Sequence, residues 1–299
     1  MPEKKKFITR RDFMRASSCV AMGSLMGWPL LGKASAKETA KSRVVLVRDK
    51  DVLNENGQVR PEVLRAMLDQ ALMALLDAPT PVSAWKQLFK PIDVVGIKSN
   101  VWHYLPTPKP LEEAIQENLL EGGVQEENMD VDDRGVLGNP VFERATALIN
   151  VRPMRTHHWS GLGTLLKNYI MFVSWPFRYH GNACEKLGAI WQLPNVKGKT
   201  RLNVLVMMTP LFHGIGPHHF SSRYTWPYCG LIVSTDPVAA DATGARIIQA
   251  KRNVFFGQEK PISPPPLHIA AADARFGLGN SRPERIQLIT LGWEEDRFI

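Results

Sequence analysis

Cysteine is the first shortage: the 299-residue chain has three, Cys19, Cys184 and Cys229, and no two stand in C-x-x-C spacing. That excludes any recognisable ferredoxin-type cluster motif. Long apolar runs are missing too, since no stretch approaches the roughly 20 residues that a stable membrane helix needs. Beyond the N-terminus there is no Lys/Arg run with interleaved aromatics, so the formal charge of +8 does not read as a nucleic-acid surface. Its location explains it. Of 37 Lys/Arg and 29 Asp/Glu, seven and two fall within residues 1–36, which leaves a nearly balanced 30 and 27 for the rest. The whole chain is 44% hydrophobic and 22% charged, an ordinary globular composition in a chain long enough to bury a substantial core.

The N-terminus reads as an address. Thr9-Arg10-Arg11-Asp12-Phe13-Met14 resembles the twin-arginine export motif, an apolar stretch at 16–31 is broken by Gly23, Gly27 and Pro29, and Ala34-Ser35-Ala36 supplies small residues for cleavage. The expectation is a signal over 1–36, the twin-arginine translocon as export partner, and a periplasmic mature chain of residues 37–299 with no stable membrane span. Cys19 would leave with the signal. In an oxidising compartment Cys184 and Cys229 either form a disulfide or remain two half-buried thiols.

Strand and helix periods alternate through the mature chain. Val44-Val45-Leu46-Val47 reads as a buried strand, and a helix starts at Pro61, a residue suited to the first helical position, and is stopped by Pro79 and Pro81. Residues 85–89 read as a short helix, 93–98 as a strand ending in Lys98-Ser99-Asn100, 111–120 as a helix and 128–133 as a strand. The adjacent Asp132 and Asp133 suit either a cation or a solvated turn. Further strands are expected at 145–151, 202–208, 231–234 and 286–291. Helices are expected at 165–173, after Asp236-Pro237 as N-cap and first position, and at 268–274. The fold class that follows is α/β: a mainly parallel sheet flanked by helices in Rossmann-like layers, as a single large domain.

The candidate site is the stretch Arg155-Thr156-His157-His158-Trp159-Ser160-Gly161-Leu162-Gly163-Thr164-Leu165-Leu166-Lys167-Asn168. Read as strand, polar glycine-containing loop and helix start, it suits anion binding. If Thr164 caps the helix, Lys167 stands at its third position, where a cation beside the positive dipole end is unfavourable unless something negative binds nearby or a carboxylate such as Asp236 or Asp241 pairs with it. His157 and Lys167 are the candidate catalytic residues. Arg155, His158, Lys98, Asn100, Asn168, Asp236 and Asp241 are the candidate ligand contacts. In the loop Phe212-His213-Gly214-Ile215-Gly216-Pro217-His218-His219, the imidazoles of His213, His218 and His219 either ligate a metal or hydrogen-bond within the loop.

Together, Val95-Gly96-Ile97-Lys98-Ser99-Asn100, the stretch 155–168, Gly214-Ile215-Gly216-Pro217, Ser234-Thr235-Asp236-Pro237-Val238-Ala239-Ala240-Asp241 and Gly277-Leu278-Gly279 resemble, in order, the family of domain of unknown function 362. The resemblance runs from about 44 to 291 and implies that the Lys98-Ser99-Asn100 strand end and the helix start at Asp236 to Asp241 neighbour the stretch 155–168. Some members of that family carry attached iron–sulfur domains. Three departures stand out: Arg155 where a lysine is usual, Ile170 and Met171 where a glycine is frequent, and no aspartate in Val206-Met207-Met208, the last implying altered chemistry if that aspartate contributes to the family's site. The ten-residue separation of His157 and Lys167 is also similar to a segment of nickel-pincer lactate racemases, which implies an acid/base role for His157 and cofactor attachment for Lys167. The functional expectation is an exported protein binding an anionic ligand or cofactor, with or without a metal, and carrying out proton-transfer or redox chemistry. The alternative is a non-catalytic binding or accessory protein for an exported metalloenzyme.

Overall fold

Among the described residues the strands are β1 (Ser42–Arg48), β2 (Val95–Lys98), β3 (Met129–Asp132), β4 (Ala147–His157), β5 (Gly161–Gly163), β6 (Thr200–Leu211), β7 (Gly230–Ser234) and β8 (Ile286–Gly292). They form one sheet in the order β3-β2-β4-β6-β7-β1-β8, with β5 pairing β4 outside that path. Pairings β2–β3, β2–β4, β4–β6 and β1–β8 are parallel. Within the main path only β7 runs the other way, antiparallel to β6 and β1. The computed structural model describes residues 41–214, 216 and 219–299. The expected export signal, Cys19 and His218 therefore lie outside the described residues. No boundary divides those that are described, and no helix among them is long and apolar enough to cross a membrane.

Alternation along the strands sorts the core into two faces. Val45, Val47, Ile97, Ile149, Val151 and Val204 pack under helices α1 (Pro61–Leu76), α2 (Pro81–Leu88) and α3 (Lys109–Glu121). Leu46, Leu148, Leu205 and Ile232 face the other way. They meet the one-turn helix α4 (Leu165–Asn168), the following 3-10 turn Tyr169–Phe172 and the long helix α5 (Pro237–Phe256). A last helix, α6 (Leu267–Ala274), packs against α5.

Three local expectations change. Pro81 opens α2 as well as following α1, because Thr80 and Ser83 form a reciprocal capping box and proline suits the first turn. The strand expected at 145–151 continues six residues further, to His157, because β5 folds back to pair Arg155 with Gly163 and His157 with Gly161. What read as a polar loop is an antiparallel ribbon. The helix expected at 165–173 keeps α-geometry only to Asn168 before tightening. Cys184 and Cys229 are both buried and free, so the disulfide alternative falls.

Candidate functional site

The second face of the sheet carries a polar column where the first carries valines. Lys98 on β2, Asn150 and Arg152 on β4 and Asn203 on β6 are all buried there. Lys98 is the anchor. Its Nζ donates to Asp133 Oδ1 at 2.5 Å and to the Ser99 carbonyl at 2.7 Å, and Asp133 Oδ2 accepts from the Val101 N–H. Burial lowers the Lys98 ammonium to about 8 even with that carboxylate beside it. Asn168 is the hub above it. Its Nδ2 reaches the carbonyls of Lys98 and Val151 and Asn150 Oδ1, while its Oδ1 faces Lys98, Asn100 and Arg152 at 3.4–3.5 Å.

β4 brings the arginines in. Pro153 offers no N–H, and the register with β6 shifts between Pro153 and Arg155. Such a bulge re-aims side chains. Here Arg152 and Arg155, three residues apart, line the same cavity together with His157, while Thr156 lines a different one. The β5 glycines make room. A Cβ on Gly163 would lie 2.8 Å from Arg152 Nη2 and 3.3 Å from Arg155 Cγ, and Gly161, at φ +70, meets the Pro264 carbonyl.

The cavity, about 240 Å³, is lined by Trp102, Arg152, Arg155, His157, Lys167 and His180, with Asn100, Asp133 and Asn168 at its edge. Arg155 donates to Asn100 Oδ1 at 3.0 Å and stacks on Trp102, 4.4 Å from the ring centre. Among the described residues Arg152 has a single long contact, 3.5 Å to Asn168 Oδ1, and both Nε atoms are buried without a hydrogen-bond partner. Among the described residues no ion pair joins Arg152, Arg155 or Lys167 to a carboxylate. Burial lowers Arg152 to about 10 and pushes Arg155 well down, the latter helped by its neighbour's charge.

Lys167 Nζ lies 3.0 Å from His180 Nε2, and burial, with a smaller contribution from both arginines, lowers it to about 8. His180 is carried by a segment in which Asn182, Ala183 and Cys184 all adopt positive φ, each at a cost of roughly 1–2 kcal/mol. His157 accepts the Trp159 N–H on Nδ1 at 3.2 Å. Burial, then the charges of Lys167 and Arg152, push its pKa far below the ordinary imidazole range. It is therefore neutral, and with Nδ1 engaged its proton sits on Nε2.

The dipole argument for Lys167 is corrected by Asp241. Thr164 occupies the N-cap position of α4, but its hydroxyl meets His268 Nε2 at 3.0 Å. The Asp241 carboxylate, fully buried on α5, takes the Leu165 and Leu166 N–H groups at 2.9 Å each. The negative group at this helix start belongs to the chain. Burial raises Asp241 to about 7 against those bonds.

Of the expected contacts, Arg155, His157, Lys167, Asn100 and Asn168 come together at the cavity, and Lys98 and Asp241 support it from beneath. Asp236 does not join them: it caps α5 and also holds Asn280 and Ser42. His158 is tied to the Gly216 backbone. His213 and His219 line a separate cavity of about 460 Å³ with Lys260 and Arg252, whose Nη1 lies 3.1 Å from His213 Nδ1. Among the described residues no group of three or more His, Cys, Asp or Glu side chains converges as a metal site would require. Sequence reading missed Arg152, Trp102, Asn150, Asp133 as partner of Lys98, and His180.

No curated protein and no solved structure matches the chain. The family model described as domain of unknown function (DUF362) matches residues 124–246, a narrower span than the motifs suggested. Arg152, Arg155, His157, Lys167 and Asn168 all lie within the part of the chain that is similar to that family.

Proposed function

We propose that this is an exported protein that holds a small dianion, such as a dicarboxylate or a phosphate, in the cavity between β4 and α4. The observation that carries this reading is the pair of buried guanidiniums with unpartnered Nε atoms. A buried arginine without acceptors is costly, and a bound anion with several oxygens would satisfy both forks. The neutral His157 adds an Nε2–H donor and Lys167 a third charge. The reading of export rests on the Arg10-Arg11 motif and the small residues at 34–36.

For His157 a binding role is favoured over an acid/base one by one observation. The lone pair on His157 Nδ1 is engaged by the Trp159 N–H, so the ring offers a donor and not a base. Calorimetric titration with oxalate and inorganic phosphate tests the proposal. The expected result is saturable binding that drops about tenfold or more in Arg155→Gln, the loss of one charge-assisted contact. Heats indistinguishable from those of chloride for both probes would remove it.

A further inference from the structure

We propose that Lys167 is a carbonyl-capturing amine, which condenses with the keto group of a small 2-oxo acid whose carboxylate rests on Arg152 and Arg155. This rests on the anion-site reading and names the substrate class of that site.

The two buried lysines make the case. Lys98 has no free position: a carboxylate, a backbone carbonyl and the Asn168 amide surround its nitrogen. Lys167 is nearly as enclosed but faces the cavity, and among the described residues its one hydrogen-bonded neighbour is an imidazole nitrogen. A lysine retained for charge alone is held by an acid. A lysine kept beside an imidazole, two guanidiniums and open space is placed to lose its proton. Its lowered pKa of about 8 leaves a usable fraction of free amine at neutral pH.

The step balances without any other reactant. Lys167 Nζ gives one proton to His180 Nε2, and the freed lone pair attacks the keto carbon as the C=O π electrons move to oxygen. A second nitrogen proton passes to that oxygen, giving a neutral carbinolamine. His180 then returns its proton to the hydroxyl, the C–O bond breaks and water leaves. Ammonium and ketone have become protonated imine and water, with His180 unchanged and nothing oxidised or reduced. The arginines hold the acid's carboxylate, so the carbonyl is presented at fixed distance from the amine. The cavity volume, about eight times the share of one water in the liquid, suits an acid of a few carbons.

The test uses the full chain with pyruvate and sodium cyanoborohydride, followed by intact mass and peptide mapping. One reduced adduct per chain is expected, on Lys167, suppressed by excess oxalate and lost in Lys167→Arg. Trapping should quicken as pH rises towards 8. Oxalate binding with no adduct, or adducts scattered over exposed lysines, would overturn the inference and leave the anion site standing. So would an adduct on Lys167 that oxalate cannot suppress. Absence of both oxalate binding and adduct would remove the anion site as well.

Discussion

Arg48 and Arg155 are both almost wholly enclosed, at 2% and 5% exposure, yet they are treated differently by their surroundings. Arg48 donates from Nε to the Tyr228 carbonyl and from Nη1 to the carbonyls of Trp293 and Glu295, and its plane lies between the Tyr228 and Trp293 rings. Arg252, at 4%, is bound by the carbonyls of Phe212, Lys260 and Pro261. Those two guanidiniums are finished by the chain itself. Arg152 and Arg155 have side-chain amides for partners and orphaned Nε atoms. Burial alone therefore does not mark a site. The fraction of donors left without acceptors does, and the same criterion passes over the larger cavity beside Arg252.

The contrast can be broken most severely at Asp133. Asp133→Asn turns Lys98 from a completed cation into an unpaired one, and breaking a buried pair in this way costs about 3–5 kcal/mol. Urea unfolding should show that loss in the midpoint with little change in slope. A loss under about 1 kcal/mol would mean that Ser99 and Asn168 suffice for Lys98, and the criterion of completed donors would need revision.

Next in size is the direct exchange. Arg48→Met strands several buried carbonyls and should cost about 3 kcal/mol. Arg155→Met removes a desolvated charge with one amide partner, and should leave the unliganded stability within about 1 kcal/mol or raise it, as isosteric apolar replacement of buried charge often does. Thermal unfolding of the two variants side by side decides this. Equal losses would make Arg155 as structural as Arg48.

Most of the fold is legible because the strands are buried on both faces and read as apolar runs, and because Pro61, Asp236 and Pro237 mark helix starts unambiguously. The site is legible only in part. His157, Lys167 and Arg155 stood out as polar residues in a glycine-containing stretch, but Arg152 lies inside a strand, where alternation predicts it on a different face from Arg155. Only the irregular pairing beside Pro153 brings the two together, and sequence spacing carries no sign of it. His180 arrives through a left-handed segment in which Asn182 suits that conformation but Ala183 and Cys184 carry no turn signature of their own. Asp241 is 76 residues from the helix start it caps, a distance across which local capping rules do not reach.

The smallest effect is the most discriminating, because two consequences of one lysine run in opposite directions. Lys167 titrates near 8 in the folded chain, below its ordinary 10.5. Between those values the unfolded chain binds more protons, so this group makes the unliganded protein more stable as pH rises from about 8 to 10.5. A bound anion reverses the preference, since it favours the ammonium. Oxalate affinity should therefore fall above about pH 8 by up to tenfold, about 1.4 kcal/mol, per pH unit, beyond any smaller step near 7 from Asp241, which burial raises to about 7. His157, held neutral, contributes no step near pH 6–7. Lys167→Arg should abolish the fall above 8 while leaving the affinity below it within a few-fold, because the guanidinium keeps its charge throughout. Calorimetry at pH 6, 7.5 and 9 reads all of this. A persistent fall in Lys167→Arg would assign the titration to Lys98, whose ammonium also sits near 8 but is already held by Asp133. The distinction between completed and incomplete cations would then fail at the pair where it is drawn most finely.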